Sequence, residues 1–208
     1  DFCLSRGLGD VYKRQLYKYP QTEFPYQKLL DENKKAGKLQ AEYELIDTGI
    51  FDEDRYFDIV IEYAKIDAED IVAVATIHNR GPEKAKIWVM PTVWFRKTWF
   101  TGHEPFMPKI TKLNESTFKA YNAKSGNYIF SFCGQPDLKF CDNETNRERL
   151  YGIPNERKFT KDGINDFVIT GDGSRLNPAN SGTKATALYE LEVPAGVQVE
   201  VKLRMQHQ

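Results

Sequence analysis

The sequence predicts an all-β fold: a large antiparallel β-sandwich of the supersandwich kind, with a short N-terminal helix and a long loop region at 142–183. Three observations predict it. About ten segments alternate apolar and polar residues with period two. The breaks between them carry turn chemistry, and beyond Gly37 no stretch sustains a helical period.

Taken in order, the chain begins with a segment of different character. Ser5-Arg6-Gly7-Leu8-Gly9-Asp10-Val11-Tyr12-Lys13-Arg14-Gln15 resembles the translation of a transposase-type sequencing adapter, so residues 1–15 are set aside as non-native. Tyr17, Tyr19, Pro20, Phe24, Pro25 and Tyr26 then make an aromatic, Pro-punctuated lead-in over 16–37. Within it, Pro25 stands where a helix can begin, and Tyr26, Leu29 and Leu30 give a short amphipathic helix up to Gly37. The sandwich domain is expected over 38–208. Its strands are read at residues 42–46, 56–64, 71–79, 86–96, 109–113, 117–121, 128–133, 138–141, 185–193 and 197–205. Asn79-Arg80-Gly81-Pro82 is read as joining neighbouring antiparallel strands, and Pro194-Ala195-Gly196 as the turn of a C-terminal hairpin with one wet face. The loop region breaks this rhythm, with one short strand expected at 166–170. A loop that long inside a domain is usually functional or packed on a neighbour.

The run from Ile87 to Trp99 organises the rest. One face carries Ile87, Val89, Val93 and Phe95, the other Trp88, Met90, Thr92 and Trp94, and all three tryptophans of the chain lie in it. Two apolar faces predict a central strand of the sandwich. Its end, Trp94 to Trp99, is expected to meet something outside this chain.

Composition excludes several functions. The 208 residues are 40% hydrophobic and 28% charged with a net charge of −1, which argues against a nucleic-acid or acidic-membrane partner. No apolar run reaches the roughly 20 residues of a membrane span. The scattered His78, His103 and His207 and the cysteines Cys3, Cys133 and Cys141 have no metal-ligand spacing, so no metal or cofactor is expected. Cys133 and Cys141 are read as core thiols, and the lack of a disulfide pattern points to a cytoplasmic setting. The 13% aromatic content fits strands, and it also fits sugar-stacking surfaces.

Several motifs carry a family resemblance. Leu16-Tyr17-Lys18-Tyr19-Pro20-Gln21, Asp47-Thr48-Gly49-Ile50-Phe51-Asp52-Glu53-Asp54-Arg55-Tyr56-Phe57-Asp58 and Pro91-Thr92-Val93-Trp94-Phe95-Arg96 resemble the N-terminal region of bacterial glucosidase-like proteins. These are of the mannosyl-oligosaccharide glucosidase and mannosylglycerate hydrolase type, glycoside hydrolase family 63 and relatives. Asn143-Glu144-Thr145-Asn146, Lys161-Asp162-Gly163-Ile164, Asn177-Pro178 and Gly182-Thr183-Lys184-Ala185 continue the likeness, while Lys97 and Phe100 depart from it. The resemblance implies an N-terminal sandwich followed by an (α/α)-barrel that carries both acids of an inverting hydrolase. No catalytic residue is therefore carried over. The implied partners are that barrel and an oligosaccharide or glucoside substrate.

Within the chain, Glu144, Asp162 and Asp166 are the acids placed by loop position, and their commoner roles are turn former, cap or partner of Arg147 and Arg149. Trp94, Arg96, Trp99, Asn143, Glu144, Asn146 and Arg147 are the candidate substrate-binding or domain-seam residues. Asn143 and Asn146 either bond their own backbone or face the seam, and Arg147 offers a donor fork for a carboxylate. Three functions compete: a non-catalytic part of a glycosidase, a stand-alone carbohydrate-binding module using Trp and Tyr stacking, and a protein-interaction sandwich.

Overall fold

The computed structural model describes residues 12–97, 99 and 106–208. In chain order the strands are β1 (Tyr12–Pro20), β2 (Tyr56–Asp67), β3 (Asp70–Asn79), β4 (Ala85–Val89), β5 (Thr92–Trp94), β6 (Lys109–Asn114), β7 (Thr117–Asn122), β8 (Gly126–Phe132), β9 (Asp137–Cys141), β10 (Ser181–Gly182), β11 (Lys184–Val193) and β12 (Gln198–His207). Helices α1 (Tyr26–Ala36), α2 (Arg147–Tyr151) and α3 (Gly163–Thr170) accompany them. The larger sheet runs β1-β2-β3-β12-β8-β7-β6-β10; the smaller places β4 and β5 along one side of β11 and β9 along the other. Every pairing is antiparallel, and the fold is an all-β sandwich.

The core lies between the sheets because both present apolar side chains at every second residue. In one half, Ile110, Phe118, Phe130 and Phe132 of the larger sheet meet Leu138, Phe140, Ala185 and Ala187 of the smaller. Phe118 is fully buried, with ring centroids 5.3, 5.1 and 6.1 Å from Phe130, Phe132 and Phe140. In the other half Phe57, Ile77 and Val201 pack against Ile87 and Val193. Tyr189 touches both halves, and its hydroxyl donates to the Cys133 carbonyl at 2.7 Å.

Several elements differ from the sequence reading. Residues 71–79 and 86–96 are consecutive but do not pair: β3 lies between β2 and β12, while β4 joins β11 in the opposite sheet. The C-terminal strands likewise form no hairpin, since β11 belongs to the smaller sheet and β12 to the larger. Both short connections cross the sandwich. The run 86–96 is an edge of the smaller sheet instead of its centre, and it breaks at Met90-Pro91. Its register with β11 continues across the break, Val89 facing Tyr189 and Thr92 facing Thr186. Pro91 O accepts from Ala187 N at 3.1 Å, so the missing proline amide hydrogen falls on the β11 side and interrupts the ladder there.

Residues 42–46 form no strand; a 3-10 turn, Leu45–Thr48, occupies their end. Within the lead-in, residues 16–20 belong to β1, and residues 12–15 extend that strand against Ala64 to Ile61. The 166–170 segment is helical, because Ile164, Phe167 and Val168 share one face and Gly171, at φ 74°, ends the helix. Cys133 is exposed, whereas Cys141 is buried and its thiol is pushed up to about 12 by desolvation.

The two crossings meet at Asn79, which is fully buried. Its backbone N–H donates to Val197 O and its carbonyl accepts from Gly196 N, both at 3.0 Å. The side-chain amide donates to Glu83 O at 2.7 Å and Val193 O at 2.8 Å, and its oxygen accepts from Gly81 N at 2.9 Å and Gln21 Nε2 at 2.6 Å. Gly196 adopts φ 68° so that its N–H can point back at this residue. Asn79→Ala strands three backbone partners, two of them in buried bonds that cost about 1–3 kcal/mol each before relaxation, so a loss of roughly 3 kcal/mol in urea unfolding is expected. A wild-type midpoint in that variant would exclude the role given to Asn79.

Candidate functional site

The segment after β5 and the start of the loop region are brought together. Asn143 Nδ2 donates to Phe95 O at 3.0 Å, and its backbone N–H donates to Thr183 Oγ1 at 2.8 Å. Lys97 forms a charged hydrogen bond with Glu144, whose side chain is 13% exposed. A cavity of about 250 Å³ opens beside this pair, lined by Thr145, Arg147, Asn155, Glu156 and Arg157 among others. Of the candidate residues, Asn143, Glu144, Asn146 and Arg147 are thus grouped. Trp94 lies 57% exposed at the end of β5, Arg96 is exposed, and Trp99 is half-buried.

The loop region is a folded unit built on Asn146. This residue is 3% exposed and caps α2 by accepting from Arg149 N at 3.1 Å, which is the backbone role its residue type suggested. Its Oδ1 also accepts from Asn155 Nδ2 at 2.9 Å, and its Nδ2 donates to Asp162 Oδ2 at 2.8 Å. Asp162 accepts from Thr160 Oγ1 at 2.6 Å and pairs with Arg149 at 2.7 Å. Arg149 further grips Asp166 through two bonds of 2.9 and 2.7 Å, locking α2 to α3. Gly182 completes the anchor, because a Cβ there would overlap the Cys141 carbonyl.

Arg147, singled out in the sequence for its donor fork, meets Glu156 of its own chain at 3.0 Å. Arg149, named from the sequence as a partner for the loop acids but not among the candidate site residues, takes that partner role with Asp162 and Asp166. Its signal was the spacing to Asp162 and Asp166, which only the folded loop converts into contact. Asp142, 7% exposed, is held by Arg157 at 3.3 Å and by Thr183 N at 3.3 Å. Burial alone would raise the Asp162 carboxyl, but hydrogen bonds from Thr160 and Asn146, with Arg149 beside it, hold it below the usual carboxylate range. A general acid for glycoside cleavage requires the opposite shift. Among the described residues no cluster of three or more His, Cys, Asp or Glu side chains is placed to hold a metal ion. No helix among them is long and apolar enough to cross a membrane.

No protein-family profile matches the chain. It is 29% identical to the uncharacterized protein YMR196W of Saccharomyces cerevisiae over 244 aligned residues, covering 98% of this chain and 22% of that protein. The chain thus spans about a fifth of the length of that relative. Among solved structures it is similar to a polysaccharide lyase, with a TM-score of 0.42 and 12% identity over 72% of this chain and 20% of that one.

The lowered pKa of Asp162 sets a direction with pH. Its stabilisation is fully present above the unfolded carboxyl value of about 4 and is lost as pH falls through the lower folded value. Acidification from neutrality to about pH 3 should therefore open α2 and α3 before the sheets, seen as faster amide exchange in residues 146–170. In Asp162→Asn that acid sensitivity should shrink. At neutral pH, Arg149→Ala should raise exchange there more than Arg147→Ala; equal effects would contradict the clamp.

Proposed function

We propose that this chain is the non-catalytic β-sandwich portion of a glucosidase-like glycoside hydrolase acting on α-linked sugars. In that protein it supports, and partly walls, an active site supplied by an (α/α)-barrel elsewhere in the polypeptide. The family motifs quoted above support the carbohydrate class. The observation that carries the non-catalytic role is the state of the three acids placed by loop position. Glu144 is tied to Lys97, while Asp162 and Asp166 are both tied to Arg149. None is left as a carboxyl poised to protonate a leaving oxygen or to activate water, and an inverting hydrolase needs one of each.

Two further observations fit a chain that belongs to a longer protein. The yeast relative extends far beyond the matched region. Helix α1 is amphipathic yet contributes no buried residue, and Tyr26, Leu30, Leu39 and Ile46 around it are all exposed. An apolar surface of that kind on an isolated domain marks a lost contact. In this reading Arg147 and the cavity beside Glu144 lie near the seam, and the barrel binds the glucoside or oligosaccharide.

The test is an assay of the chain on a panel of α-glucosides and α-mannosides, with a full-length hydrolase of the resembled type as positive control. No turnover above buffer is expected. Hydrolysis that disappears in Glu144→Gln would sink the proposal.

A further inference from the structure

We infer that the outward side of the β4–β5 edge of the smaller sheet is a glycan-binding platform, with Trp88 and Trp94 as its two stacking surfaces. The inference rests on the carbohydrate class proposed above, but not on the absence of catalysis. Ile87, Val89 and Val93 point into the core, so the unbroken register with β11 turns Trp88, Met90, Thr92 and Trp94 outward. Trp88 and Met90 are each 39% exposed and Trp94 is 57% exposed. Six residues of strand set the two indoles about 20 Å apart, a reach of several pyranose rings. Their backbone is fixed by pairing with the buried strand β11, so the platform is ordered before any ligand arrives.

The polar setting selects the occupant. Lys86 lies 4.5 Å from the Trp88 ring centroid and pairs with Glu190, and Lys84 pairs with Glu192 at 2.8 Å. A protein partner burying this face would have to desolvate both ion pairs, and interface cores are depleted in charged residues for that reason. A sugar chain suits that setting. Its C–H faces lie on the indoles while its hydroxyls hydrogen-bond the ammonium and carboxylate groups alongside. The platform therefore fits a neutral, linear oligosaccharide.

The probes are linear gluco- and manno-oligosaccharides from disaccharide to heptasaccharide, titrated into the 208-residue chain by calorimetry and tryptophan fluorescence. The expected result is millimolar or tighter binding that strengthens with length until the ligand spans both indoles. Trp88→Ala and Trp94→Ala should each weaken the longest ligand about tenfold, with thermal unfolding unchanged because both side chains are exposed. Trp94→Tyr should retain most of the affinity. Absence of binding across the series overturns the proposal. So does binding indifferent to both alanine variants, or a self-associated chain that Trp94→Ala converts to monomer. Turnover accompanied by Trp-dependent binding would sink the non-catalytic reading and leave the platform standing, whereas no turnover and no binding would do the reverse.

Discussion

One buried amide, Asn79, governs how the two sheets are related. A short crossing between sheets must turn the chain out of one ladder and into another, which leaves backbone groups with no strand to pair with. Here two such crossings, 80–84 and 194–197, sit side by side, and Asn79 supplies both donors and an acceptor to them. An amide suits this position because it offers two donors and an acceptor with two lone pairs, without the charge that burial would penalise. Gly81 is part of the same constraint, since a Cβ there would press on Gln21 and on Asn79 itself.

Consequences follow along both sheets. Because β3 exits into β4 across the sandwich, Ile77 and Ile87 come to share one core half although the strands that carry them do not pair. The return crossing from β11 to β12 puts Val193 and Val201 into that same half. With β12 inserted between β3 and β8, the larger sheet becomes continuous from β1 to β10. The smaller sheet is left narrow, and its edge runs through Met90-Pro91. That edge sends Ile87, Val89 and Val93 to the core and leaves Trp88 and Trp94 exposed.

A second polar centre, Asn146 with Asp162 and Arg149, does for the loop region what Asn79 does for the sheets. The region contains two short helices whose own apolar faces are too small to hold them. Capping, a half-buried carboxylate and a two-point guanidinium contact supply the order instead. The chemical consequence is that acids which look available in the sequence are already engaged. A general-acid carboxyl is instead kept neutral by a raised pKa.

Legible in the sequence alone were most of the strands and which residues of a strand share a face. Alternation is local, so Val89 and Val93 share one face and Trp88 and Trp94 the other whichever strand lies next to them. With both faces apolar, however, the pattern predicted a central strand and did not reveal that the tryptophan face is exposed. The helix before Gly37 was legible because it too is local, as was a backbone bond by Asn146 as one of two alternatives, whereas the helix that Asn146 caps was not expected. Partner choice was not legible. Nothing local distinguishes a turn that folds a strand back on its neighbour from one that carries it to the opposite sheet, so two expected hairpins proved to be crossings. The 166–170 run was misread as a strand because a short apolar stretch fits either period. Only the tertiary structure, by setting Asp162 against Asn146 and Arg149 and closing the crossings on Asn79, decided which groups are buried, which are paired and which surface stays open. Those outcomes depend on contacts between residues far apart in the chain, and no local pattern encodes them.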